Sequence, residues 1–495
     1  MSQCKFSVII DQKYSLDSIK KENDMNKLPD ISKDVSQWYN EIVYKAELAD
    51  QSPVRGCIVI RPYGWALWEN IKTVLDKRIK ETGHQNASFP LLIPESFIKR
   101  EAKHVEGFAP ELAIVTIAGG KELEEPLVVR PTSETIIHYS FARWIKSWRD
   151  LPLKINQWAN VVRWEKRTRP FLRTTEFFWQ EGHTAHATRE EAQEEALLML
   201  NEYINLAQDY LAIPVIAGEK SPTERFAGAD ITYTFEAIMM DGKALQMGTS
   251  HLLSRSFAKS FDIEYQDKEG NLEHPYLTSW GVTTRLIGAI VMTHGDQKGL
   301  VMPPRVAPIQ VVIIPIYKKD AEQQVRDAVQ ELYTRLSKEY RVQLDADDSK
   351  SPGAKFYEWE LKGVPLRIEL GPRDVDNKAV MISNRVTGDK TMVKLDAIES
   401  EIGSMLDNMH QELFNRAQVK LQGHWNKESK LAIFGPVMDK EAGAYQTGWC
   451  GEEECENKLS EFKGTIRCLL KENEFNQCFG CNKSSVRDVL VAKAY

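Results

Sequence analysis

The chain has 495 residues, of which 42% are hydrophobic and 27% charged, a composition typical of a globular protein with two to four domains. Its net charge of −7 does not by itself indicate a nucleic-acid partner, and its odd number of cysteines, seven, argues against a disulfide framework. No apolar run approaches the roughly 20 residues that cross a bilayer, and the N-terminus has neither a signal-peptide nor a transit-peptide pattern, so we expect a cytoplasmic protein with no membrane partner.

The first hundred residues predict an arm, two helices and a strand. Residues 1–33 are polar with little periodicity and are expected to form a mobile or loosely docked arm. Apolar side chains at helical spacing predict one helix from Asp34 and a second that ends at the C-cap Gly83. Between them, residues 54–62 have the composition of a strand.

A short polar segment follows the strand predicted at residues 127–130. Pro131 ends that strand, and Thr132 and Glu134 fall on the loop before an apolar helix. Ser133 with Glu134 also matches a helix N-cap, which contributes about 1 kcal/mol. Capping alone therefore explains these residues, if nothing else is considered.

Charged and aromatic side chains are densest between residues 157 and 186. An apolar run predicts a strand up to Val162, residues 166–170 predict a hairpin loop, and residues 171–181 predict the return strand. Arg163 and Glu165 lie on one face of the extended chain, where they either pair with neighbouring charges in a surface hairpin or hold a charged ligand. The interleaved Trp and Phe residues favour a nucleotide, because a base stacks on aromatic rings and phosphates accept bidentate arginine.

Helix and strand signals continue through residue 294. Thr188 and Glu191 form a capping box for a helix that extends to about residue 211. Residues 244–253 and 279–284 predict strands, and Arg285 stands where the second strand meets an apolar helix at residues 286–292. The helix dipole disfavours a cation at that end, and an anionic ligand would remove the conflict.

The last 190 residues predict a small sheet and a metal site. After a linker at residues 303–310, strands and helices alternate to residue 370, which predicts a small, mostly parallel sheet with helices on both sides. A helix at 395–421 and a strand at 431–437 follow. Two short cysteine pairs then match the ligand spacing of structural zinc, with four thiolates in a tetrahedron. The four predicted ligands are Cys450, Cys455, Cys478 and Cys481.

The segment 163–186 resembles a known family. Arg163-x-Glu165, a loop and then Arg173 on the return strand resemble motif 2 of the class II aminoacyl-tRNA synthetases, and RPFLRTTEFFWQEGHTAH (169–186) resembles the prolyl-tRNA synthetases. The resemblance extends from about Asp34 to Tyr495. It implies a multidomain α/β and α+β protein with an antiparallel-sheet catalytic core (34–302), an α/β anticodon-binding domain (303–405) and a small α/β zinc-binding C-terminal domain (406–495).

The resemblance implies that proline is activated with ATP to prolyl-adenylate and transferred to the 3′ end of tRNA(Pro). Arg163 and Arg285 are the implied catalytic residues, and Mg²⁺ is expected to accompany ATP. Thr132 and Glu134 are expected to satisfy the two N–H donors of the proline imino nitrogen. The implied ATP-binding residues are Arg163, Glu165, Arg173, Thr174, Gln246, Thr249, Thr283 and Arg285. The implied proline-binding residues are Thr132, Glu134, Arg163, Trp179, Glu181, His183, Phe226, His251 and Ser279.

Further resemblances concern partners and subtype. The helix before Gly83 and the strand near Pro90 resemble motif 1 and imply a homodimer, although an ordinary helix–strand pair has the same sequence pattern. Only about 95 residues separate His183 from Thr278, so the chain resembles the archaeal and eukaryotic-like subtype without an editing insertion. Residues of the segment 351–374 are candidates for reading unstacked anticodon bases. These candidates are Lys355, Arg367, Glu369 and Arg373.

Two rival functions remain open on the sequence alone. One is a catalytically inactive paralogue that binds RNA, which the presence of Arg163, Glu165 and Arg285 disfavours. The other is a synthetase for threonine or serine on the same scaffold. The threonine enzyme holds its substrate on an active-site zinc, and the catalytic region has no Cys/His set of that kind.

Overall fold

The computed structural model describes residues 28–100 and 112–495, so most of the predicted arm lies outside the described residues. The two predicted helices near the start are present as α1 and α2; the C-cap of α2 is Thr82 rather than the predicted Gly83, which follows it at a φ of +91°. The strand-like run at 54–62 contains only a three-residue strand. The elements to residue 100 are α1 (Val35–Lys45), β1 (Ala49–Gln51), β2 (Ile58–Ile60), α2 (Pro62–Glu81), β3 (Gln85–Asn86), β4 (Leu92–Pro94) and α3 (Glu95–Lys99).

Helix α2 contributes a stripe of apolar side chains at a four-residue spacing to the main hydrophobic core. Leu67, Ile71, Leu75 and Ile79 are all fully buried. This spacing puts them on one face of a helix, and burial of each such side chain contributes roughly 1.5–3 kcal/mol.

An antiparallel sheet forms the centre of the molecule. The order of its catalytic strands is β9-β10-β11-β14-β8-β7-β3, in which only the last pair is parallel. A smaller sheet, β4-β6-β5, lies apart from it. The elements are β5 (Ala113–Ala118), β6 (Lys121–Val129), α4 (Glu134–Trp144), β7 (Leu153–Val162), β8 (Glu176–His186), α5 (Arg189–Asn205), β9 (Ile216–Glu219), β10 (Ile231–Ile238), β11 (Ala244–Ser254), α6 (Ser256–Ser260), β12 (Tyr265–Gln266), β13 (Leu272–Glu273), β14 (Tyr276–Thr283) and α7 (Arg285–His294).

The hairpin and the helices around it agree with the sequence, with two differences. The return strand β8 begins at Glu176 rather than near residue 171, because Phe171 has a φ of +60° and is not extended. The capping box of Thr188 and Glu191 is present at α5, but the helix ends in a π-helical turn at Leu206–Tyr210.

A second domain contains a five-stranded sheet of order β16-β15-β17-β18-β19. The first two pairs are parallel and the last two antiparallel, so the sheet is mixed rather than mostly parallel. The last two strands, β18 and β19, are not predicted from the sequence. The elements are β15 (Val311–Pro315), α8 (Glu322–Leu336), β16 (Val342–Leu344), α9 (Pro352–Leu361), β17 (Leu366–Leu370), α10 (Pro372–Asp376), β18 (Ala379–Asn384), β19 (Lys390–Lys394) and α11 (Ile398–His424).

The C-terminal strands continue the central sheet. Strand β22 pairs with β9 at Leu469 and Glu219, which extends the order to β20-β21-β23-β22-β9. The strand predicted at 431–437 is wrong: this segment is helical, and Leu431, Phe434 and Met438 are buried at helical spacing. The elements are β20 (Trp425–Lys427), α12 (Leu431–Lys440), β21 (Ala444–Trp449), α13 (Glu453–Asn457), β22 (Gly464–Leu469) and β23 (Arg487–Lys493). No helix among the described residues is long and apolar enough to cross a membrane.

Candidate active site

A cavity of about 280 Å³ lies on one face of the central sheet, and alternate residues of four adjacent strands form its floor. One row across the strands consists of His183, Ser279, His251 and Thr232. The next row consists of Glu181, Gly281, Thr249 and Thr234. The period of two along each strand therefore explains why predicted site residues separated by up to 100 positions meet in one place.

Every predicted ATP-binding and proline-binding residue lines this cavity. Glu134 and Glu181 lie at one end, which we call the acidic end (Thr132, Glu134, Glu181 and His183). Two guanidinium groups lie towards the other, which we call the basic end (Arg173 and Arg285).

Glu181 is the centre of a hydrogen-bond network in the acidic end. Its carboxylate accepts bonds from Ser133 Oγ at 2.5 Å and Gln157 Nε2 at 2.7 Å, and lies 2.9 Å from His183 Nε2. Burial by itself lowers the pKa of His183, but Glu181 and Glu134 outweigh it, so that the pKa is raised above its ordinary value. The imidazole is thereby favoured as the cationic partner of a buried carboxylate.

Ser133 and Glu134 do not act as a simple helix cap. Helix α4 begins at Glu134, yet Ser133 makes no side-chain capping bond there and donates to Glu181 instead. Thr132 donates to the carboxylate of Glu134, and both side chains are buried. The capping explanation of this segment is therefore wrong, and its polar atoms belong to the cavity.

His251 is the neutral counterpart of His183. Thr232 and Thr249 lie 3.0 Å from its two ring nitrogens, and Phe226 stacks on the ring with centroids 4.5 Å apart. Burial lowers the pKa of His251 to about 4, so the ring is uncharged near neutral pH. Together, Phe226 and His251 form an apolar, flat wall.

Three polar atoms at the floor have no hydrogen-bond partner among the described residues. These atoms are Trp179 Nε1, His183 Nδ1 and Ser279 Oγ. Buried polar atoms without partners are costly, and a cavity that contains several of them is suited to a polar ligand.

Arg163 lies between the two ends. Its Nε donates to the carbonyl of Pro131 at 3.0 Å, next to Thr132, and its guanidinium lies 5.5 Å and 5.6 Å from the ring centroids of Phe177 and Trp179. These contacts fix the arginine at the entrance of the acidic end. Trp164, the next residue, is 54% exposed, which confirms that it faces away from Arg163 and Glu165.

In the basic end, a carboxylate and the backbone hold the other two arginines. Arg173 Nε lies 2.8 Å from Glu165 Oε2, so the two predicted nucleotide ligands pair with each other. Arg285 donates to the carbonyls of Leu172 and Gln246 at 3.1 Å and 3.0 Å. Burial and the neighbouring Arg163 lower the pKa of Arg285 to about 10, which leaves it charged at neutral pH. Thr174 and Thr283 complete this end.

Several residues of the site were not predicted from the sequence. Gln157 lies outside the lining but bonds Glu181 and is directly opposite it in the β7–β8 register, so strand pairing contains a signal for it. Glu224 lines the cavity two residues before the predicted Phe226. Lys220 and Thr232 are also part of the lining, but no motif or spacing in the sequence indicates them.

The anticodon candidates are only partly brought together. Glu369 pairs with Arg367 at 3.0 Å and with Lys390 at 2.9 Å, and the Arg367 guanidinium lies 4.2 Å from the ring centroid of Phe356. Arg367 and Lys390 line a small cleft, whereas neither Lys355 nor Arg373 contributes to its lining. Lys355 is buried and paired with Asp345.

The four cysteines predicted as metal ligands form one cluster. Their sulfur atoms all lie within 4.8 Å of one another, and those of Cys450 and Cys481 are 3.7 Å apart. A tetrahedral zinc ion with Zn–S bonds of 2.3 Å separates its sulfur ligands by about 3.8 Å, so this donor set fits such an ion. Cys468 is fully buried in a separate apolar cluster, as expected for a core residue.

Family comparisons agree with this arrangement. The family described as tRNA synthetase class II core domain (G, H, P, S and T) matches residues 115–294. An anticodon binding domain matches residues 310–405, and a prolyl-tRNA synthetase C-terminal domain matches residues 433–495.

Individual proteins are similar over almost the whole chain. Proline–tRNA ligase 2 of Clostridioides difficile is 51% identical over 93% of this chain and 96% of its own length. The proline–tRNA ligase of Acetoanaerobium sticklandii is 52% identical over 96% of this chain and 100% of its own length. A crystal structure of prolyl-tRNA synthetase from Cryptosporidium parvum, complexed with halofuginone and AMPPNP, is 38% identical, with a TM-score of 0.89 over 95% of this chain and 100% of that one.

The antiparallel catalytic sheet, the arginine-lined cavity and the anticodon-binding domain define a class II aminoacyl-tRNA synthetase, and the expected fold class is confirmed. Its partners are tRNA, ATP and an amino acid. Within this class the chain belongs to the prolyl-tRNA synthetases, and its activity is that of a proline–tRNA ligase.

Proposed function

We propose that proline binds in the acidic end of the cavity and ATP in the basic end, with Arg163 between the proline carboxylate and the α-phosphate. The observation that carries this assignment is that Glu134 and Glu181 surround His183 at one end of the cavity, whereas Arg173 and Arg285 are neighbours at the other. An imino acid has an ammonium group that suits carboxylates, whereas a triphosphate suits arginine. ATP–pyrophosphate exchange measured with each of the twenty amino acids tests it, because exchange should depend on proline far more than on any other.

In the acidic end, Thr132 and Glu134 are the proposed partners of the imino nitrogen. A secondary ammonium offers two N–H donors, and one hydroxyl plus one carboxylate satisfies both. The stacked rings of Phe226 and His251 and the indole of Trp179 offer the apolar surface for the proline ring. Glu181, His183 and Ser279 form the polar floor beneath it.

In the basic end, activation requires positioning and charge stabilisation rather than covalent chemistry. The proline carboxylate attacks the α-phosphate in line, the bond to the β-phosphate breaks, and pyrophosphate leaves. Arg163 and Arg285 neutralise the charge that develops, and Arg173 exchanges Glu165 for an outer phosphate while Glu165 turns to adenine. Gln246, Thr249, Thr174 and Thr283 are the remaining proposed nucleotide contacts. Mg²⁺ is expected to bind together with ATP, coordinated by its phosphates, as is usual for this ion.

The cysteine cluster is proposed as a structural zinc site. Four thiolates close the coordination sphere of zinc and leave no open position, so the ion would contribute stability rather than chemistry. Cys450, Cys455, Cys478 and Cys481 would hold it, and Cys450, Cys455 and Cys478 would thereby connect strand β21 and helix α13 to the loop before β23.

We also propose that the enzyme belongs to the archaeal and eukaryotic-like subtype without an editing insertion. Helix α5 and strands β9 to β11 occupy the segment between His183 and Thr278, and the Cryptosporidium parvum chain is covered over its full length. Alanine is smaller than proline, and discrimination by missing methylenes is worth only about 1–3 kcal/mol each. We therefore expect measurable activation of alanine and no enzymatic hydrolysis of Ala-tRNA. Release of alanine from preformed Ala-tRNA above the spontaneous rate would contradict this.

For tRNA(Pro), we propose that the cleft lined by Arg367 and Lys390 receives an unstacked anticodon base. These two residues would provide cationic donors, Glu369, which pairs with both, would accept from the N1 and N2 donors of guanine, and Trp359 in the lining would provide an aromatic surface. Lys355 and Arg373 remain weaker candidates. The proposed domains are the catalytic core (34–302), the anticodon-binding domain (303–405) and the zinc domain (406–495).

A homodimer through helix α2 and a cytoplasmic location complete the proposal. The exposed face of α2 bears charges of both signs, such as Lys72, Asp76 and Lys80, which an isologous two-fold contact could pair across the axis. Sedimentation of the purified chain at twice its mass of 56.6 kDa would support the dimer. The cytoplasm is the compartment in which ATP and uncharged tRNA meet the ribosome.

A further inference from the structure

A buried cluster of charges connects the C-terminal module to the wall of the active site. Glu236 of strand β10 is fully buried, and its two carboxylate oxygens have different partners. Lys220 Nζ lies 3.0 Å from Oε1, and Arg467 of strand β22 donates to Oε2 from Nε and Nη2 at 3.1 Å and 2.9 Å. Thr234 also donates to Oε1. Of the three charged residues, Lys220 lines the cavity.

Two β-bulges bring these side chains together. In strand β22 the pairing with β23 shifts between Ile466 and Cys468, so Arg467 is the extra residue of a bulge. In the β10–β11 pair the register shifts between Phe235 and Glu236, which makes Gln246 the partner of Glu236. Bulges redirect side chains and are frequent next to active sites.

Glu236 connects the cluster to the basic end of the cavity through its partner on the neighbouring strand. Its cross-strand partner Gln246 supplies the carbonyl that accepts the bond from Arg285. Glu236 and Arg467 are also near enough to Arg285 to act on its pKa in opposite directions. Two cations share one anion in the cluster, so it carries one net positive charge beside the place proposed for the phosphates.

A second contact joins the same two regions. Ser221, the neighbour of Lys220, donates to Glu456 of helix α13 at 2.5 Å, and Ser221 is fully buried. The segment that contains Lys220 is thus bonded directly to the C-terminal module through Ser221, and indirectly through Glu236, which Lys220 and Arg467 share.

We propose that Arg467 is a positioning residue for the nucleotide end of the active site. It holds Glu236 by one oxygen, leaves the other oxygen to Lys220, and so keeps both the Gln246 strand and the local positive charge in place for ATP. This inference rests on the proposed assignment of ATP to the basic end. Without Arg467, the cluster would be reduced to a neutral pair, and the carboxylate would be free to move.

The test measures the KM values for ATP and for proline in pyrophosphate exchange with the full-length enzyme. Arg467→Met should raise the KM for ATP about tenfold or more, as expected for loss of a charge-assisted contact, and leave the KM for proline within about twofold. Arg467→Lys, which keeps the charge, should recover most of the affinity for ATP. Arg487→Met is the matched control, because Arg487 joins the same module to Glu219 through an exposed ion pair at 3.6 Å.

Two further variants, Ser221→Ala and Arg163→Ala, allow the proposal to be tested even if Arg467→Met does not fold. If Arg467→Met does not fold, Ser221→Ala deletes only one hydroxyl of the second contact and should raise the KM for ATP in the same direction, by about two- to fivefold. Equal changes in both KM values, or a lower melting temperature with both KM values unchanged, would overturn the proposal. Arg163→Ala tests the site assignment separately. If Arg163→Ala retains pyrophosphate exchange, the assignment of the site is refuted. If Arg163→Ala loses exchange but Arg467→Met has a normal KM for ATP, only the role of Arg467 is refuted.

Discussion

The acidic and basic ends of the cavity differ in how they are built before any substrate binds. In the acidic end, Glu181 has three side-chain partners, and Thr132 and Glu134 bond each other, so the geometry is formed in advance. In the basic end, Arg173 is paired with Glu165, so one of the proposed phosphate ligands has a carboxylate as its partner. If proline and ATP bind as proposed, the acidic end is preorganised for its ligand, whereas Arg173 has to exchange a partner to reach a phosphate.

Arg163 belongs to both ends, and its removal should have the largest effect. Arg163→Ala should reduce proline-dependent pyrophosphate exchange at least 10²–10³-fold, since a preorganised donor on the reacting atoms is lost. The fold should persist, because this side chain is partly exposed rather than part of the core. Arg167→Ala, in the exposed loop of the same hairpin, is the control and should retain normal exchange. Wild-type activity in Arg163→Ala would remove motif 2 from the mechanism.

The preorganised end should respond specifically to loss of a single charge. Glu134→Gln keeps the shape of the side chain but removes the carboxylate proposed to bind the imino nitrogen. The KM for proline should rise about 10- to 100-fold, as for loss of a hydrogen bond to a charged group, while the KM for ATP stays within twofold. A larger change in the KM for ATP than in the KM for proline would contradict the division into two ends. Steady-state exchange at varied proline and ATP distinguishes these results.

Outside the cavity, loss of zinc should lower the stability of the protein more than its activity. Purified protein should contain about one zinc per chain, and Cys455→Ser should lower both the zinc content and the melting temperature of the C-terminal module. Cys468→Ser is the matched control for zinc content, because this buried cysteine lies outside the cluster. Metal analysis and differential scanning calorimetry provide the two readouts. A metal-free preparation that melts like the zinc-loaded one would contradict the site.

The features that the sequence predicted depend on local patterns along the chain, whereas those it did not predict depend on contacts between distant segments. Alternation along a strand is local, so His183, Ser279 and His251 could be placed on one face from the sequence and the family motifs. The apolar run at 431–437 is ambiguous, because a short run of this kind fits a strand or a buried helix equally well. Lys220 and Arg467 could not be found, since their meeting depends on the pairing of β22 with β9 and on two bulges.

The two histidines of the cavity should differ in how their contributions to stability depend on pH, which is the smallest of the expected effects. His183 has a raised pKa, so its protonation stabilises the folded protein, and this stability is fully present below about pH 6.5 and is lost as the pH rises through the folded-state pKa. His251 has a pKa lowered to about 4, so at pH 5 this histidine binds a proton in the unfolded chain but not in the folded protein. The contribution of His251 to the free energy of unfolding therefore grows as the pH rises to about 7.5.

The free energies of unfolding of the wild type, His183→Gln and His251→Gln between pH 5 and 9 test this contrast. The stability lost in His183→Gln should decrease as the pH rises, and the stability lost in His251→Gln should increase. The opposite signs matter more than the sizes, because any general weakening of the fold would move both differences together. Slopes of the same sign for both variants would mean that Glu181 does not hold His183 in its charged form, and the acidic end would then contain an uncompensated buried carboxylate.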